Sequence, residues 1–322
     1  MRIAIVGCGL IGAKRAAAAK GHEIVVVCDR DQARADALVR QTGARAVSDS
    51  HEAVSSDVDA VIVATSHDQL AGIALAAVEA GKHVLVEKPA GRHVDEVRPI
   101  AQAAKKNRRI VKVGFNHRFH PGFQKARQIV DQGALGPLLF IRARYGHGGR
   151  LGMEKEWRCS ADLSGGGEAI DQGSHLIDLS RWFLGDLTLD YAAAPTLFWN
   201  IAVDDNCFMA LRGKRGEMAW LHAGWTEWKN VFAFELFGRN GKLTIEGLGG
   251  SYGVERLTFH RMLPEMGPPE TTSWEYPFPD KSWEAEVADF AAAIKTGRPP
   301  CGDINDAIVN LEIIKQIYET RS

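Results

Sequence analysis

The chain has 322 residues, with 39 Lys and Arg against 40 Asp and Glu, so its formal net charge is −1. About 45% of the residues are hydrophobic and 25% are charged, as in ordinary globular proteins, and the length suits two domains. A chain so close to neutral has no overall field that would attract nucleic acid or an anionic membrane, so neither partner is expected.

The first 114 residues alternate short β-branched runs with longer, Ala-rich stretches. Continuous apolar runs such as AVIVA are typical of strands covered on both faces, as in a parallel sheet. Strand–helix alternation at this spacing predicts right-handed βαβ units and a doubly wound sheet. The predicted strands are Ile3–Val6, Ile24–Cys28, Asp59–Ala64, His83–Val86 and Ile110–Gly114, and helices are predicted near 11–20, 31–42, 68–80 and 93–106.

A glycine-rich turn, GCGLIG, follows the first predicted strand and opens the first helix. Gly7 permits the tight turn, Gly9 lets the backbone approach a pyrophosphate, and Gly12 lets helix and strand pack closely. Free N–H groups and the positive dipole at the helix start also favour phosphate. The pattern predicts a dinucleotide site that includes Leu10 and Ile11.

Asp29 ends the second predicted strand, 20 residues after Gly9. Its carboxylate can accept hydrogen bonds from the adenosine ribose hydroxyls, which favours NAD over NADP. Arg30 leaves NADP open, because a guanidinium at this place can bind the 2′-phosphate or stack on adenine. The predicted cofactor is therefore NAD, with NADP as the alternative.

The strand His83–Val86 is followed by Glu87-Lys88-Pro89. Ligands bind at the carboxyl ends of strands in doubly wound sheets. A lysine there can hydrogen-bond a substrate hydroxyl and stabilise the oxygen as its proton leaves, and Glu87 would hold or neutralise the lysine. An ordinary surface lysine before a helix is the alternative interpretation of Lys88.

The aromatic residues mark a change along the chain, because none of the 8 Trp, 5 Tyr and 13 Phe precedes Phe115. The first 114 residues must therefore build their core from Val, Ile, Leu and Ala. We predict a dinucleotide-binding domain over residues 1–118 and an α+β domain over 119–322. In this prediction the C-terminal helix can also pack back on the first domain.

The second part of the chain shows a different periodicity. A polar, glycine-rich loop over 146–167 leads into a helix predicted near 168–184. Phe232, Phe234 and Leu236 then alternate with more polar or smaller neighbours, which is typical of an antiparallel sheet with one buried face. Further helices are predicted near 120–132, 283–296 and 303–320.

Asp171 and His175 lie four residues apart in the segment GGGEAIDQGSHLIDL, so a helix would place both on one face. A histidine paired with a carboxylate can accept a hydroxyl proton while the carboxylate orients the imidazole. Asp178 continues the same stripe, which also admits a metal site. A polar stripe that faces solvent is the remaining interpretation.

Together these segments resemble the glucose–fructose oxidoreductase / inositol dehydrogenase / rhizopine catabolism (Gfo/Idh/MocA) family. The resemblance covers essentially the whole chain and is carried by GCGLIG, AGKHVLVEKP, KVGFNHRFHP and DQGSHLIDL. It implies an α/β protein with an N-terminal Rossmann domain and a C-terminal domain that holds a large open, mainly antiparallel sheet. It also implies an NAD(P)-dependent oxidoreductase that acts on a secondary hydroxyl of a sugar, polyol or nucleotide sugar.

The resemblance also implies roles for individual residues. Lys88 matches the family's active-site lysine, and Asp171 and His175 match its aspartate and its histidine, which is the general acid/base in many members. The family requires no metal, so no metal ligands are expected. Gln172 would border the substrate pocket, and Arg118 would contact substrate or fix its loop, with a structural salt bridge as the alternative.

The sequence departs from the family pattern after the strand Asp59–Ala64. Members commonly have Ala-Thr-Pro followed four residues later by histidine, whereas this chain has Ala-Thr-Ser with Leu70 at the histidine's place. His67 is nearby but out of register. Thr65 is still expected to approach the cofactor, as are Glu87 and Lys88.

The loop YGHGGRLGMEKEWR is a candidate part of the substrate mouth. His147 and Arg150 would line it, with the basic groups meeting a phosphate or carboxylate. The acidic residues Glu154 and Glu156 in the same loop weaken this case for an anion. A solvated loop is the alternative.

The cysteines and the apolar runs of the sequence indicate in which cellular compartment the protein is expected. Five cysteines form an odd set without close pairs, which favours a reducing compartment over a disulfide framework or zinc knuckle. No uninterrupted apolar stretch approaches the ~20 residues that span a bilayer. We therefore expect a cytoplasmic protein. Since the open sheet is commonly the family's oligomer contact, a homodimer or homotetramer through the C-terminal sheet is also expected.

Two other functions exist among relatives of this kind. An NAD-dependent glycosidase uses transient oxidation to release a sugar without net NADH formation. A non-catalytic NAD(P)-sensing regulator usually lacks the catalytic residues, whereas Lys88, Asp171 and His175 are all present here. The sequence therefore favours a dehydrogenase over both alternatives.

Overall fold

The computed structural model describes residues 1–320, which form two compact units. The first unit contains Met1–Asn116, Asp162–Gly165 and Trp283–Leu311. The second contains His117–Ala161, Gly166–Ser282 and the chain from Glu312 onward.

The first unit is built on a six-stranded parallel sheet with the strand order β3-β2-β1-β4-β5-β6. Its strands are β1 (Arg2–Val6), β2 (Glu23–Cys28), β3 (Arg45–Val47), β4 (Ala60–Val63), β5 (His83–Val86) and β6 (Val111–Val113). The helices between them are α1 (Leu10–Ala18), α2 (Gln32–Thr42), α3 (Ser50–Ser55), α4 (His67–Glu79) and α5 (Val94–Asn107). The order reverses beside β1, and ligands bind at the carboxyl ends of the strands at such a point.

The central strands of this sheet are covered on both faces. Ile3 and Ile5 of β1 and Ile62 of β4 have no exposed surface. β-branched side chains suit such strands because they pack well on a pleated surface. The doubly wound parallel sheet is therefore confirmed.

Two short elements of this unit, β3 and α3, were not predicted. β3 is a three-residue edge strand in which only Val47 is buried, so it has no continuous apolar run. α3 has six residues, too few for a helical period to show, and begins where the Asp49 carboxylate accepts a hydrogen bond from the His51 N–H at 2.9 Å. Local pattern carries little signal for elements this short.

Part of the C-terminal chain belongs to the first unit. Residues 283–311, which hold most of α9 (Ser282–Thr296), belong to the first unit. Val287 and Phe290 of this helix are 2% and 1% exposed and pack in the same cluster as Ile3 and Ile5. Burial of these side chains against the parallel sheet, rather than chain order, decides where the helix belongs.

The second unit holds an eight-stranded sheet with the order β14-β13-β12-β11-β7-β10-β9-β8. Among its described strands only β7 and β10 pair in parallel. The strands are β7 (Leu138–Gly146), β8 (Leu187–Ala193), β9 (Asn206–Gly213), β10 (Met218–Gly224), β11 (Val231–Gly238), β12 (Gly241–Glu246), β13 (Glu255–Arg261) and β14 (Glu270–Tyr276). The remaining helices of the chain are α6 (Pro121–Asp131), α7 (Ala161–Ser164), α8 (Gln172–Leu184) and α10 (Ile304–Glu319).

The two faces of this sheet differ. Phe232, Phe234 and Leu236 of β11 are at most 3% exposed, as their alternation predicts. On the opposite face, Phe140 and Trp220 are 38% and 53% exposed. The large open, mainly antiparallel sheet is therefore confirmed, with one buried and one uncovered face.

The helices and cysteines add two further facts. None of the helices within residues 1–320 is long and apolar enough to cross a bilayer. All five cysteines are free thiols, and four of them are buried.

Candidate active site

The glycine turn after β1 has the shape of a phosphate cradle. Gly7 has φ +96°, and a Cβ there would lie 2.4 Å from the Ala64 carbonyl oxygen. A Cβ on Gly12 would lie 1.9 Å from the Gly7 oxygen, so neither position tolerates a side chain. Around a Cβ at Gly9, by contrast, no described residue other than its chain neighbours has an atom within 4 Å. The backbone at the start of α1 is thus open for a pyrophosphate, and the residues present fit a dinucleotide.

Leu10 and Ile11 follow this open position in the first turn of α1. Leu10 is 75% exposed. A large apolar side chain left in solvent beside a phosphate cradle is suited to cover a bound cofactor. That contact stays a prediction.

Asp29 fastens the glycine turn to the end of β2. Its Oδ2 accepts a hydrogen bond from the Cys8 N–H at 2.8 Å, and its Oδ1 accepts one from the Asp31 N–H at 2.9 Å. Each carboxylate oxygen can accept more than one hydrogen bond, so ribose hydroxyls can still bind. Arg30 beside it is exposed. This geometry suits a ribose-binding Asp29.

Two thiols lie near this turn. The Cys8 Sγ donates to the Cys28 carbonyl oxygen at 3.4 Å. Burial raises the pKa of Cys8 to about 12 and that of Cys28 to about 11, and the Asp29 carboxylate adds to both shifts. Both side chains are therefore neutral, and they act as small buried groups beneath the cofactor loop.

The segment after β4 contains the departure from the family pattern. Leu70 has no exposed surface on α4, so the residue at the histidine's place belongs to the core. His67 is also buried, with its Nδ1 2.8 Å from the Ser164 carbonyl oxygen. Thr65 is half-buried in front of α4 and remains the predicted cofactor contact of this segment.

Glu87 and Lys88 follow β5. The Glu87 Oε1 accepts a hydrogen bond from the Arg15 Nε at 2.5 Å, a partner that was not predicted. Burial raises the pKa of the Glu87 carboxyl, and the Arg15 charge opposes that shift. Lys88 is half-buried at the carboxyl end of the strand.

His175 lies in the first turn of α8 and is 6% exposed. Its ring stacks on His117, with the centroids 3.7 Å apart and the planes at 17°. Asp171 is the residue before the first helical position, and its Oδ2 lies 3.5 Å from the Arg158 Nε. The structure thus places a buried imidazole four residues after a partly exposed carboxylate, a pair suited to proton transfer.

Gln172 lies between several polar groups. Its amide satisfies both ends when the nitrogen donates to the Tyr145 carbonyl at 2.9 Å and to the Glu168 Oε2 at 3.1 Å, and the oxygen accepts from the Tyr252 hydroxyl at 3.3 Å. Burial, with the charge of Glu168, raises the pKa of Tyr252 to about 12. Burial likewise raises the pKa of Tyr145. Both phenols therefore act as neutral hydrogen-bonding groups near Asp171.

Tyr252 also lines a cavity of about 480 Å³. Phe232, Lys229 and Asn230 contribute to its wall. Its volume is within the range of small-molecule sites. His117, Tyr145 and Tyr252 were not predicted as site residues, since no local spacing connects them with α8. Glu168 was not predicted either, although it lies four residues before Gln172 in the same segment.

Arg118 and Asp178 form a buried ion pair. Arg118 donates from Nε and Nη2 to the two Asp178 oxygens at 2.9 and 2.6 Å, and the residues are 5% and 1% exposed. The structure therefore gives the salt bridge, which was the alternative to a substrate contact for Arg118. Both Asp178 oxygens accept from Arg118, which makes the pair bidentate and charge-assisted.

The two residues predicted in the loop after β7, His147 and Arg150, have different surroundings. The His147 Nδ1 accepts a hydrogen bond from the Gly149 N–H at 2.9 Å. Burial lowers the pKa of His147, while the Asp171 carboxylate opposes the shift, so His147 lies within electrostatic reach of the site. The Arg150 Nη2 lies 2.6 Å from the Glu156 Oε1, and this side chain is 68% exposed. A substrate contact of Arg150 stays a prediction and would compete with Glu156.

A metal site was another interpretation of the polar stripe formed by Asp171, His175 and Asp178. Across residues 1–320 the structure contains no group of three or more His, Cys, Asp or Glu side chains arranged to hold a metal ion.

Two family models match the chain. Residues 1–115 match the model described as "Oxidoreductase family, NAD-binding Rossmann fold". Residues 123–244 match the GFO/IDH/MocA C-terminal domain.

Curated relatives agree with these models. D-glucoside 3-dehydrogenase of Escherichia coli K12 is 30% identical over 254 residues, which are 76% of this chain and 69% of the relative. Inositol 2-dehydrogenase 2 of Saccharopolyspora erythraea is 33% identical over 192 residues, 58% of this chain and 54% of the relative. That second match spans about half the length of the relative.

Solved structures share the fold. Levoglucosan dehydrogenase in complex with NADH and levoglucosan has a TM-score of 0.89 at 22% identity. The match covers 99% of this chain and 96% of that one. At this identity the likeness concerns the fold alone.

Proposed function

The chain belongs to the GFO/IDH/MocA oxidoreductase family, and from this membership we propose that it is a dehydrogenase for a secondary hydroxyl of a sugar, polyol or nucleotide sugar. The observation that carries the proposal is the buried His175, four residues after Asp171, in a chain whose glycine turn is open at Gly9. Oxidation of an alcohol requires a base for the hydroxyl proton and a cofactor that accepts the hydride.

The cofactor would be held by the first unit. The backbone N–H groups at the start of α1 would bind the pyrophosphate, and Asp29 would accept hydrogen bonds from the ribose hydroxyls. When bound, the oxidised nicotinamide supplies the acceptor for the hydride that leaves the substrate carbon. Thr65, Glu87 and Lys88 remain predicted cofactor neighbours.

Proton transfer is assigned to His175. Its imidazole removes the substrate hydroxyl proton as the C–H bond gives up its hydride, which leaves a carbonyl on the substrate and a proton on the ring. Asp171 stabilises the imidazolium by its negative charge. Lys88 donates a hydrogen bond to the same substrate oxygen and stabilises the negative charge that develops on it.

The substrate class follows from the chemistry of the second unit. Tyr252 and Gln172 present neutral hydroxyl and amide groups, and Lys229, Asn230 and Glu246 line the cavity together with Tyr252. His147 and Arg150 lie on the loop after β7. Neutral and charged hydrogen-bonding groups of this kind suit a polyhydroxylated ring. The relatives named above are dehydrogenases of a glucoside and of inositol, which agrees with this class.

The deciding experiment follows NADH formation with NAD⁺ or NADP⁺ across inositols, free aldoses, anhydro-sugars, D-glucosides and nucleotide sugars. A dehydrogenase produces NADH in proportion to the oxidised sugar. Sugar release from a glycoside without net NADH would identify the glycosidase alternative. Cofactor binding without turnover of any compound would favour the regulator.

NAD⁺ is expected to be the better cofactor because the Asp29 carboxylate would repel a 2′-phosphate. Replacing Asp29 by alanine removes both the repulsion and the ribose hydrogen bonds. The ratio of kcat/KM for NAD⁺ to that for NADP⁺ should fall by about tenfold, since hydrogen bonds to a charged group contribute roughly 1.5–3 kcal/mol. Asp36→Ala, on the exposed surface of α2, is the matched control. An unchanged ratio in the Asp29 variant would contradict this role.

The uncovered face of the C-terminal sheet is proposed as the contact of a homodimer or homotetramer. Phe140 and Phe237 stack there at 4.1 Å between centroids, beside the exposed Trp220. An apolar surface of this kind marks an interaction site. Trp220→Glu should shift the mass measured by light scattering towards that of the monomer. Phe278→Glu, at a 74% exposed loop residue, should leave it unchanged, and equal masses for both variants would refute the contact.

A cytoplasmic location is part of the proposal. Its support is the set of five free thiols, which suits a reducing compartment, together with the need for a nicotinamide cofactor. Fractionation of cells that express the chain tests it.

A further inference from the structure

Two aromatic rings of the second unit are largely exposed to solvent and contact each other. Phe198 lies between β8 and β9, Trp228 lies between β10 and β11, and they are 59% and 65% exposed. Their ring centroids are 4.7 Å apart and their planes meet at 82°. The two rings thus form an apolar surface with two nearly perpendicular sides. We call Phe198 and Trp228 the aromatic corner.

The backbone that carries Phe198 is held by a buried carboxylate. Asp205 accepts hydrogen bonds from the N–H groups of Leu197, Phe198 and Trp199 at 2.8, 2.7 and 2.9 Å. Burial raises the pKa of the Asp205 carboxyl, but these donors and the Asn206 amide outweigh that effect, so the pKa lies below its usual value. Because hydrogen bonds to a charged acceptor are strong, the segment presents the Phe198 ring from an ordered backbone.

The backbone of Trp228 is also held in a particular conformation. Its φ is +54°, in the left-handed region that bulky residues rarely adopt and that is enriched at functional sites. The Glu227 N–H donates to the His147 carbonyl oxygen at 3.2 Å, and a Cβ on Gly148 would lie 3.0 Å from the Trp228 Cα. The loop after β7, predicted as part of the substrate mouth, therefore packs against Trp228.

The chain that follows Trp228 leads to the cavity of about 480 Å³. Lys229, Asn230 and Tyr252 are among the residues that line this cavity. The Tyr252 hydroxyl donates to the Gln172 amide oxygen at 3.3 Å, and Gln172 is the first residue of α8. Hydrogen-bonding groups thus connect the start of α8 with the segment beside the aromatic corner. A ligand that binds at α8 and extends along the cavity would reach Trp228.

The chemistry of these neighbouring surfaces suits a sugar ring. The face of an aromatic ring is the negative part of its quadrupole, and the C–H groups on the face of a pyranose are weakly positive. The hydroxyl groups of the same pyranose can bind to polar side chains such as Lys229 and Asn230. A second copy of this chain fits less well, because two aromatic side chains bury at most about 500 Å² whereas each partner of a stable complex buries about 800 Å².

We propose that the aromatic corner binds a second sugar ring, so that the substrate is a glycoside of at least two rings rather than a free monosaccharide. The ring that is oxidised lies at His175, and the ring joined to it stacks on Phe198 and Trp228. The inference rests on the dehydrogenase proposed above and names its substrate class.

The test compares one-ring with two-ring compounds of the same linkage. NADH formation is measured for methyl α-D-glucoside against maltose, methyl β-D-glucoside against cellobiose, methyl α-D-galactoside against melibiose, and methyl β-D-galactoside against lactose. In at least one pair the disaccharide should have a kcat/KM about tenfold higher, the scale of one well-formed aromatic contact. Methyl glycosides that are oxidised as efficiently as the disaccharides in every pair would overturn the proposal.

Phe198→Leu and Trp228→Asn locate the effect in the aromatic corner. Leucine keeps an apolar side chain without a ring, and asparagine adopts a positive φ more readily than most residues, so both changes remove a ring and spare the backbone. Each should lower kcat/KM about five- to tenfold for the preferred disaccharide and less than about twofold for its methyl glycoside. Phe278→Leu, at an exposed ring in the loop after β14, is the matched control and should change neither value. Equal losses for both compounds would show a structural role and refute the inference.

Binding measurements separate this inference from the proposed reaction. If none of these sugars is oxidised, calorimetry measures the affinity of the NADH-loaded protein for the disaccharides. Binding that Trp228→Asn weakens by about tenfold supports the aromatic corner even where no NADH forms, and the wider panel above then decides the reaction. Absent binding, or binding that the variant leaves unchanged, overturns the inference while NADH formation from another sugar keeps the dehydrogenase. A lower mass of Trp228→Asn in light scattering would assign the corner to a contact between copies of the chain and also overturn it.

Discussion

His175→Ala is expected to lower kcat by about 10²–10⁴-fold, the range that general base catalysis contributes. The alanine variant has no group at this position to take the hydroxyl proton, so the hydride leaves from a neutral alcohol. The dissociation constant of NAD⁺ should change little, because the glycine turn and Asp29 are untouched. Steady-state kinetics with saturating NAD⁺, together with calorimetric NAD⁺ titration, measure the two quantities.

His222→Ala is the matched control for this prediction. His222 also stacks on an aromatic ring, that of Phe208 at 4.2 Å between centroids, but it lies on β10 among the residues of the uncovered sheet face. Its variant should retain kcat. Undiminished turnover by the His175 variant would exclude this residue as the base.

Lys88→Ala is expected to lower kcat by about 10²–10³-fold, comparable with the loss of one donor to a developing oxyanion. The variant loses the hydrogen bond that stabilises the substrate oxygen as its proton leaves. Because that interaction strengthens in the transition state, kcat should fall more than the affinity for the substrate.

The control here is Lys105→Ala, an exposed lysine in the last turn of α5. Its kcat should equal that of the unmodified enzyme. A change confined to the KM for NAD⁺ in Lys88→Ala would assign this lysine to cofactor binding alone.

Much of the first unit could be predicted from the sequence because its signals are local. A glycine turn between a buried strand and a helix requires only adjacent residues, and so does the run of β-branched residues in β4. The structure supplies the reasons for Gly7 and Gly12, whose side-chain positions are filled by neighbouring backbone. The predicted helices agree with the structure to within a few residues, apart from α8, whose predicted start near 168 precedes Gln172.

The partners of buried charges could not be predicted in the same way. Arg15 bonds Glu87 and Glu286, which are 72 and 271 positions away in the chain. Arg118 bonds Asp178 across 60 positions. Hydrophobic period and residue spacing describe what happens within one element, whereas these pairs depend on which elements the fold brings together.

The sequence by itself thus determined the family, the parallel and antiparallel sheets, and the candidate groups Lys88, Asp171 and His175. Only the tertiary structure decided that α9 joins the first unit, that Glu87 is held by Arg15, and that Asp178 is neutralised in a buried salt bridge. The physical reason is that a buried charge must find a partner wherever the fold supplies one, and that partner can lie at any distance along the chain.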